Sequence, residues 1–355
     1  MVGVIYSTLK PFLFPDRLAA IRVGKMAAPV HVRIKPTNVC NHSCWFCAYR
    51  SDAVSLGGGM NARDRIPREK MLEIVDDLVE MGVAAVTFSG GGEPLIYPHI
   101  VETVNRLAAG GIRIGALTNG SMLKGKVADA FVRNGTWLRV SIDGWDGPSY
   151  ARSRHVDVDE FDKVIANLMA FSARSSHCAL GASVIVDGTN APHLFDLCQR
   201  LKAAGVGHVK LAPCIVRDSG IENDAYHADF APTVHAEIER IRRIEDRHFR
   251  ISDHYHALGD RFDRPERRCP MAYLLTIIGA DLAVYTCQDK AYTPDGMLGS
   301  IRERRFRDFW LSEENARSLA AIDPSIACRH HCVASAKNER MNEYLALDPD
   351  HVMFV

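Results

Sequence analysis

Cys40-Asn41-His42-Ser43-Cys44-Trp45-Phe46-Cys47 decides how this sequence is read. The run places three thiols at Cys-x3-Cys-x2-Cys spacing directly behind a short β-rich stretch, residues 31–35. Three thiolates on one short loop can grip three corners of a cubane iron–sulfur cluster. No fourth cysteine stands at local spacing, so one iron keeps an open coordination position. An open position on a bound metal is where a small molecule binds, the feature that separates catalytic from structural zinc sites. Zinc is the competing metal. His42 could supply a fourth ligand, but its place between two ligands makes a single tetrahedron awkward, and zinc sites usually pair their ligands as Cys-x2-Cys or Cys/His.

Working outward, residues 30 to 213 alternate β-rich runs with amphipathic helical stretches, the grammar of a parallel sheet built from βα units. Six strands are predicted at 31–35, 84–89, 112–118, 137–143, 179–186 and 207–212, with helices at 67–81, 98–109, 123–134, 158–171 and 191–204. In the first helix Pro67 suits the opening turn, Met71, Ile74, Val75 and Leu78 share one face, and Gly82 suits the stop. Such crossovers wind into an open doubly wound sheet or a barrel, and either way ligands gather at the C-terminal strand ends. Residues 221–262 read as a charged helical connector and 1–29 as an N-terminal extension. From 263 to 355 a smaller domain is expected, because 273–278 and 282–286 flank Gly279-Ala280-Asp281 as a β-hairpin.

The cysteine run, with aromatic Phe46 just before its last thiol, resembles the signature of the radical S-adenosylmethionine superfamily. The resemblance implies an α/β fold, a partial (β/α)6 TIM-like barrel, in agreement with the six strands. It also implies a 4Fe-4S cluster on Cys40, Cys44 and Cys47, with S-adenosylmethionine chelating the fourth iron through its amino and carboxylate groups. Reductive cleavage of the sulfonium would then give a 5′-deoxyadenosyl radical that takes hydrogen from a substrate. Ser89-Gly90-Gly91-Gly92-Glu93-Pro94 follows the second strand; its glycines permit close backbone approach and its carboxylate can accept from an ammonium group, although a phosphate loop or a plain turn has the same look. Beside the cysteines it resembles the family's GGEP motif. The cofactor-binding residues implied are Phe46, Gly91, Gly92, Glu93 and Pro94, with Thr118, Asn119, Ser141 and Asp143 at later strand ends; turn formation and capping are the alternative for Thr118, Asn119 and Asp143.

Cys269, Cys287, Cys328 and Cys332 form a second group. The predicted hairpin lies between Cys269 and Cys287 and brings them together across seventeen intervening residues. Cys328 and Cys332, four apart, would share one face of a helix. Four thiolates can close a complete cluster. The segment resembles the SPASM/Twitch auxiliary extension of the same superfamily, the shorter one-cluster form fitting four cysteines better than seven. The last pair departs from the commoner Cys-x2-Cys, so a ligand from outside the set stays open, with His330 or His331 as candidates. A closed second 4Fe-4S cluster would accept an electron from a substrate radical.

Lys plus Arg and Asp plus Glu both count 43, which removes the basic field of a nucleic-acid or anionic-membrane binder. The apolar stretch 271–280 is too short to span a bilayer, and Lys10, Pro11, Pro15 and Asp16 interrupt any signal-peptide pattern. A cytoplasmic enzyme is expected, in which the clustered ones among the ten cysteines serve metal or chemistry rather than disulfides. Only 39 residues precede Cys40, too few for the winged-helix module of many peptide modifiers. The expected function is therefore oxidation or dehydrogenation of a small polar substrate, a sugar, aminocyclitol or nucleotide derivative, with an external donor such as flavodoxin or ferredoxin. Peptide modification and a non-catalytic iron–sulfur protein are the alternatives. Candidate catalytic groups are Cys214, Arg152 and Tyr285, with Tyr150, Arg154, His155 and Asp281 as further polar candidates; Cys178 and Cys198 read as core.

Overall fold

Val32 and Ile34 are fully buried on one face of a strand whose other face carries His31, Arg33 and Lys35. This period-2 split organises the computed structural model, which describes residues 6–174, 177–256, 262 and 264–354. Ten strands form one sheet: β1 His31–Ile34, β2 Ala85–Phe88, β3 Arg113–Thr118, β4 Gly135–Ser141, β5 Ala179–Val186, β6 His208–Pro213, β7 Arg250–Asp253, β8 Leu275–Ile278, β9 Ala283–Tyr285 and β10 Met297–Ser300. Their order is β10-β9-β8-β1-β2-β3-β4-β5-β6-β7, with parallel pairing from β8 through β7 and antiparallel pairing at β8–β9 and β9–β10. The parallel sheet is not closed, so this is a partial barrel. The six strands read from sequence are all present within a few residues of their expected limits.

The helix Arg68–Glu80 buries Met71, Ile74, Val75 and Leu78 and stops as expected: Gly82 adopts φ 68°, its N–H donating to the Val79 carbonyl and the Val83 N–H to that of Leu78.

Three differences matter. The connector expected over 221–262 is not wholly helical: it contains β7, a short polar edge strand with no apolar run to announce it. The segment beyond it is partly outside the described residues. The C-terminal hairpin does not form a sheet of its own, because β8 pairs in parallel with β1, His31 to Leu275 and Ile34 to Ile278. Thr276, Ile277 and Ile278 are buried on both faces, as an inner parallel strand must be. Phe306, Phe309 and Trp310 join the same core as the barrel residues, and the Trp310 indole donates to the Ala27 carbonyl at 2.8 Å. Finally, Cys328 and Cys332 are not on a helix: the helix Pro324–Ala327 ends before the first and Ser335–Leu345 begins after the second.

Candidate radical site and its second cysteine group

The first cysteine loop is zipped to the glycine run. The Gly92 N–H donates to the Thr37 carbonyl at 3.0 Å and that of Glu93 to Val39 at 2.9 Å. A Cβ on Gly92 would lie 1.9 Å from the Val39 carbonyl oxygen, and one on Gly91 2.0 Å from Asn38 Oδ1. The glycines are there because two backbones touch immediately before Cys40. From the other side the helix Gly147–Arg154, opened by an Asp146/Ser149 capping box, holds the loop: Ser43 N–H donates to the Arg154 carbonyl at 3.0 Å and Trp45 N–H to Ser153 at 3.2 Å.

Glu93 is buried, and its carboxylate accepts from Leu95 N–H (2.9 Å), Thr118 Oγ1 (2.6 Å) and Asn119 N–H (2.7 Å). It ties the turn after β2 to the end of β3, and burial raises its pKa. Asn119 in turn donates to Asn41 Oδ1 at 2.8 Å, reaching the cysteine loop. Asp143 accepts from Ile185 N–H at 2.6 Å and pairs with buried Arg154, which also donates to Ser141 Oγ at 2.9 Å. The guanidinium lies 5.6 Å from the Phe46 ring centroid. Ser141 and Asp143 thus serve Arg154, a residue the sequence offers only among several polar candidates. Pro94 starts the short 3-10 turn behind Glu93.

All ten cysteines are free thiols. Burial pushes Cys44 up to about 11 and raises Cys40, with the Arg154 charge drawing Cys44 back. Three half-buried thiols beside a buried guanidinium, backed by a glycine cradle, are a donor set that fits an anionic cluster with one uncommitted corner. His42 faces elsewhere: its ring meets Tyr150, and burial holds its pKa down at about 4.

The second group converges too. Burial pushes Cys328 up to about 11 and Cys332 to about 12, and raises Cys269 and Cys287; the Cys269 charge adds to the rise in Cys287, Cys328 and Cys332. Asn338 Nδ2 donates to Cys269 Sγ at 3.3 Å. Donor atoms of Cys287, Asp289 and His330 lie within 4.8 Å of one another. His330 is buried, and among the described residues its Nε2 has no hydrogen-bond partner. Of the four cysteines, Cys287 alone enters this close group among the described residues, beside a carboxylate and an imidazole, a mixed donor set able to hold a metal.

Between the two groups lies a polar junction. Lys35 Nζ, fully buried, donates to Tyr49 Oη at 2.7 Å and to the Gly90 carbonyl; Gln288, next to Cys287, donates to the same Tyr49 oxygen and accepts from Arg33 Nη1 at 3.2 Å. Of the catalytic candidates, Cys214 is buried behind β6, with burial pushing its thiol up to about 12. Tyr285 donates to Asp281 Oδ2 at 2.5 Å and burial raises its phenol. Arg152 is exposed and turned away from the site, while Arg154, two residues on, faces in. Lys35, Arg33, Tyr49 and Gln288 were missed. Strand alternation on either side of Ile34 is the available signal for the first two, since it aims both at the barrel interior.

No helix among the described residues is long and apolar enough to cross a membrane. Residues 34–201 match the Radical SAM superfamily profile. The chain is 30% identical over 231 residues to the "Probable GTP 3',8-cyclase" of Methanothermobacter thermautotrophicus, covering 61% of this chain and 69% of that protein. It is 34% identical over 107 residues to the "S-adenosylmethionine-dependent nucleotide dehydratase" of Flammeovirga pacifica, covering 29% of this chain but only 35% of the relative. In fold it is similar to Streptococcus suis SuiB bound to precursor peptide SuiA, with TM-score 0.64 and 15% identity over 91% of this chain and 75% of the other. SuiB is also known bound to S-adenosylmethionine. With the thiol triad, the glycine cradle and a relative covered over more than two thirds of its length, the chain belongs to the radical SAM superfamily.

Proposed function

We propose that this radical SAM enzyme takes hydrogen from a small nucleotide-class substrate held inside the partial barrel, and that Cys269, Cys287, Cys328 and Cys332 hold a second cluster facing the same interior. The observation that carries this reading is the junction at Tyr49, where the loop bearing Cys47 meets Gln288, the neighbour of Cys287. The names of the two sequence relatives support the nucleotide class among the small polar substrates expected.

Cys40, Cys44 and Cys47 would hold the cluster, and the backbone at Gly91 and Gly92 would flank S-adenosylmethionine. When bound and reduced, this pair supplies a 5′-deoxyadenosyl radical. The protein's own contribution is to orient and to exclude water. Arg154 fixes Asp143 and Ser141 beside Phe46, and Glu93 locks the ends of β2 and β3. Cys214 keeps its hydrogen at neutral pH and is available as a hydrogen donor, whereas the Tyr285 O–H is committed to Asp281. The electron for cleavage would come from a small redox protein of the flavodoxin or ferredoxin class. Loss of one electron to the second cluster and of one proton to a neighbouring base would make the net reaction a dehydrogenation; hydrogen return from Cys214 would leave the substrate at its original oxidation level, with the Cys214 thiyl radical restored to the thiol by an electron from the external donor and a proton.

The test is anaerobic. Reconstituted, reduced protein should release 5′-deoxyadenosine from S-adenosylmethionine, and Cys40→Ala should abolish release while retaining the iron of the second site, about four atoms per chain. No 5′-deoxyadenosine from cluster-replete protein rejects the radical reading; loss of all iron in Cys40→Ala rejects the second cluster.

A further inference from the structure

The Asn338 side chain is spent on a sulfur. It stands near the start of the helix Ser335–Leu345 and is only 5% exposed. Its two ends meet different partners at Cys269 and just beyond: Oδ1 accepts from Met271 N–H at 2.9 Å, and Nδ2 donates to Cys269 Sγ at 3.3 Å. Chemistry fixes the orientation, since a backbone N–H can meet only the amide oxygen and the NH2 group must then face the sulfur. In the first cysteine loop the corresponding contact comes from the backbone, His42 N–H to Cys40 Sγ at 3.4 Å.

The helix is held where this contact requires it. Met341, one turn on, is fully buried in a small core with Leu18, Ile21 and Leu274. Asn342 Nδ2 donates to the Arg268 carbonyl at 3.1 Å, and Arg22 Nη2 donates to the Tyr344 carbonyl at 3.0 Å. Asn338 and Asn342, four apart, share one face, so the helix grips the segment around Cys269 at two points, Asn338 through the sulfur and Asn342 through a carbonyl.

A thiol sulfur is a weak acceptor, and a buried amide proton given to it gains little. The same contact becomes charge-assisted when the sulfur is an iron-bound thiolate, and its strength then follows the negative charge on that sulfur. A cluster that takes an electron gains negative charge shared with its sulfurs. An N–H donor therefore stabilises the reduced form more than the oxidised one and raises the reduction potential.

We propose that Asn338 raises the reduction potential of the second cluster through Cys269, and so favours that cluster as the acceptor of the electron lost by the substrate radical. In that step the substrate radical is oxidised by one electron and gives its proton to a neighbouring base, while the cluster is reduced by the same electron. Asn338 acts through Cys269 and is a positioning residue. This rests on the second cluster proposed above.

The experiment is a mediated potentiometric titration of anaerobically reconstituted full-length protein, followed by the electron paramagnetic resonance signal of the reduced second cluster. Cys40→Ala serves as the parent, so that the first site adds no signal. Asn338→Asp keeps an oxygen for Met271 N–H and removes the donor to sulfur; Asn338→Leu removes both; Asn342→Ala removes the neighbouring helix contact and leaves Asn338 in place. At a fixed potential near the midpoint, the ratio of reduced to oxidised second cluster should fall about tenfold in Asn338→Leu, or about 59 mV for one electron. It should fall at least as far in Asn338→Asp, which also brings a negative charge, and should be unchanged in Asn342→Ala. A midpoint that does not fall in an iron-replete Asn338 variant overturns the proposal. An equal fall in Asn342→Ala also overturns it, since a loosened helix is then the cause. Loss of second-site iron from both Asn338 variants but not from Asn342→Ala overturns the tuning role and makes Asn338 a residue of cluster assembly. These three outcomes leave the second cluster standing. A Cys40→Ala parent that binds no iron rejects the second cluster itself, and the tuning role falls with it.

Discussion

Tyr49 and Gln288 meet across 239 residues of chain, the first two positions past Cys47 and the second one past Cys287, and both contact Lys35. The two cysteine groups are therefore mechanically joined through one phenol and one amide, not only placed on the same sheet. Removing the phenol oxygen leaves Lys35 and Gln288 short of a partner inside the protein, a loss of about 1–3 kcal/mol. Tyr49→Phe should lower substrate-dependent turnover roughly tenfold while leaving slow, substrate-free cleavage of S-adenosylmethionine intact. Parallel loss of both rates would place Tyr49 in cofactor binding instead; no change in either would dismiss the junction.

Gly92 and Gly82 make a matched pair of glycines with different reasons. At Gly82 the backbone is left-handed with open space around it, so Ala costs only the strain of that conformation, about 1–2 kcal/mol, and should lower Tm by a few degrees with the iron content unchanged. At Gly92 the clash is with the Val39 backbone, one residue before Cys40. Gly92→Ala must move the cysteine loop. Iron bound at the first site should drop below half, and S-adenosylmethionine affinity with it, measured by iron analysis and equilibrium dialysis. Equal behaviour of the two variants would contradict this division.

Arg154 and Asp143 are both about 97% buried at their side chains, so their ion pair is not a surface one. Its attraction is set against a large desolvation cost, but removing one partner leaves the other charged and alone. Arg154→Met should destabilise by about 3–5 kcal/mol, whereas the double variant Arg154→Met/Asp143→Leu should recover most of that stability and none of the S-adenosylmethionine binding. Chemical denaturation and ligand titration check the two halves separately. A double variant that binds the cofactor normally would remove Arg154, Asp143 and Ser141 from the site.

The cysteine triad, the glycine cradle and six of the seven inner parallel strands were legible because each has a local signature: ligand spacing, glycine clustering, or an apolar run ending at a turn. What stayed hidden depends on contacts between distant segments. Nothing near Leu275 says that it will pair with His31, although Leu274-Leu275-Thr276-Ile277-Ile278, uncharged and apolar but for one threonine, is the pattern of a strand covered on both faces. β7, spelled Arg-Ile-Ser-Asp, has too little apolar length to stand out. The choice of Arg154 over Arg152 turns on helix phase: the Asp146 cap and Pro148 fix where the helix Gly147–Arg154 begins, and that start aims Arg154 inward and Arg152 at solvent. Lys35 reads as an ordinary charged residue until the sheet around it assigns the faces.

His31, His42 and His208 give the fold an acid limit. Burial lowers their pKa values to about 3, 4 and 4, and for His31 and His208 neighbouring Arg33 and Arg139 push the same way. In the unfolded chain each titrates near 6.5. A histidine kept neutral by the fold contributes stability that is fully present above the unfolded value and lost as pH falls toward the folded one, since the unfolded state then binds the extra protons. Stability should be level from pH 8 to 7 and fall between 6.5 and 4, with each of the three rings contributing up to one proton to the slope, His227 and His330 adding to it and the raised carboxyls of Glu93 and Asp143 opposing it. His31→Gln should remove about one of them, if the amide can accept from or donate to Thr87 as the ring does at 2.8 Å. Denaturation midpoints measured across that range decide the matter: a slope below one proton, or one that His31→Gln does not reduce, would mean that these rings take up protons without unfolding.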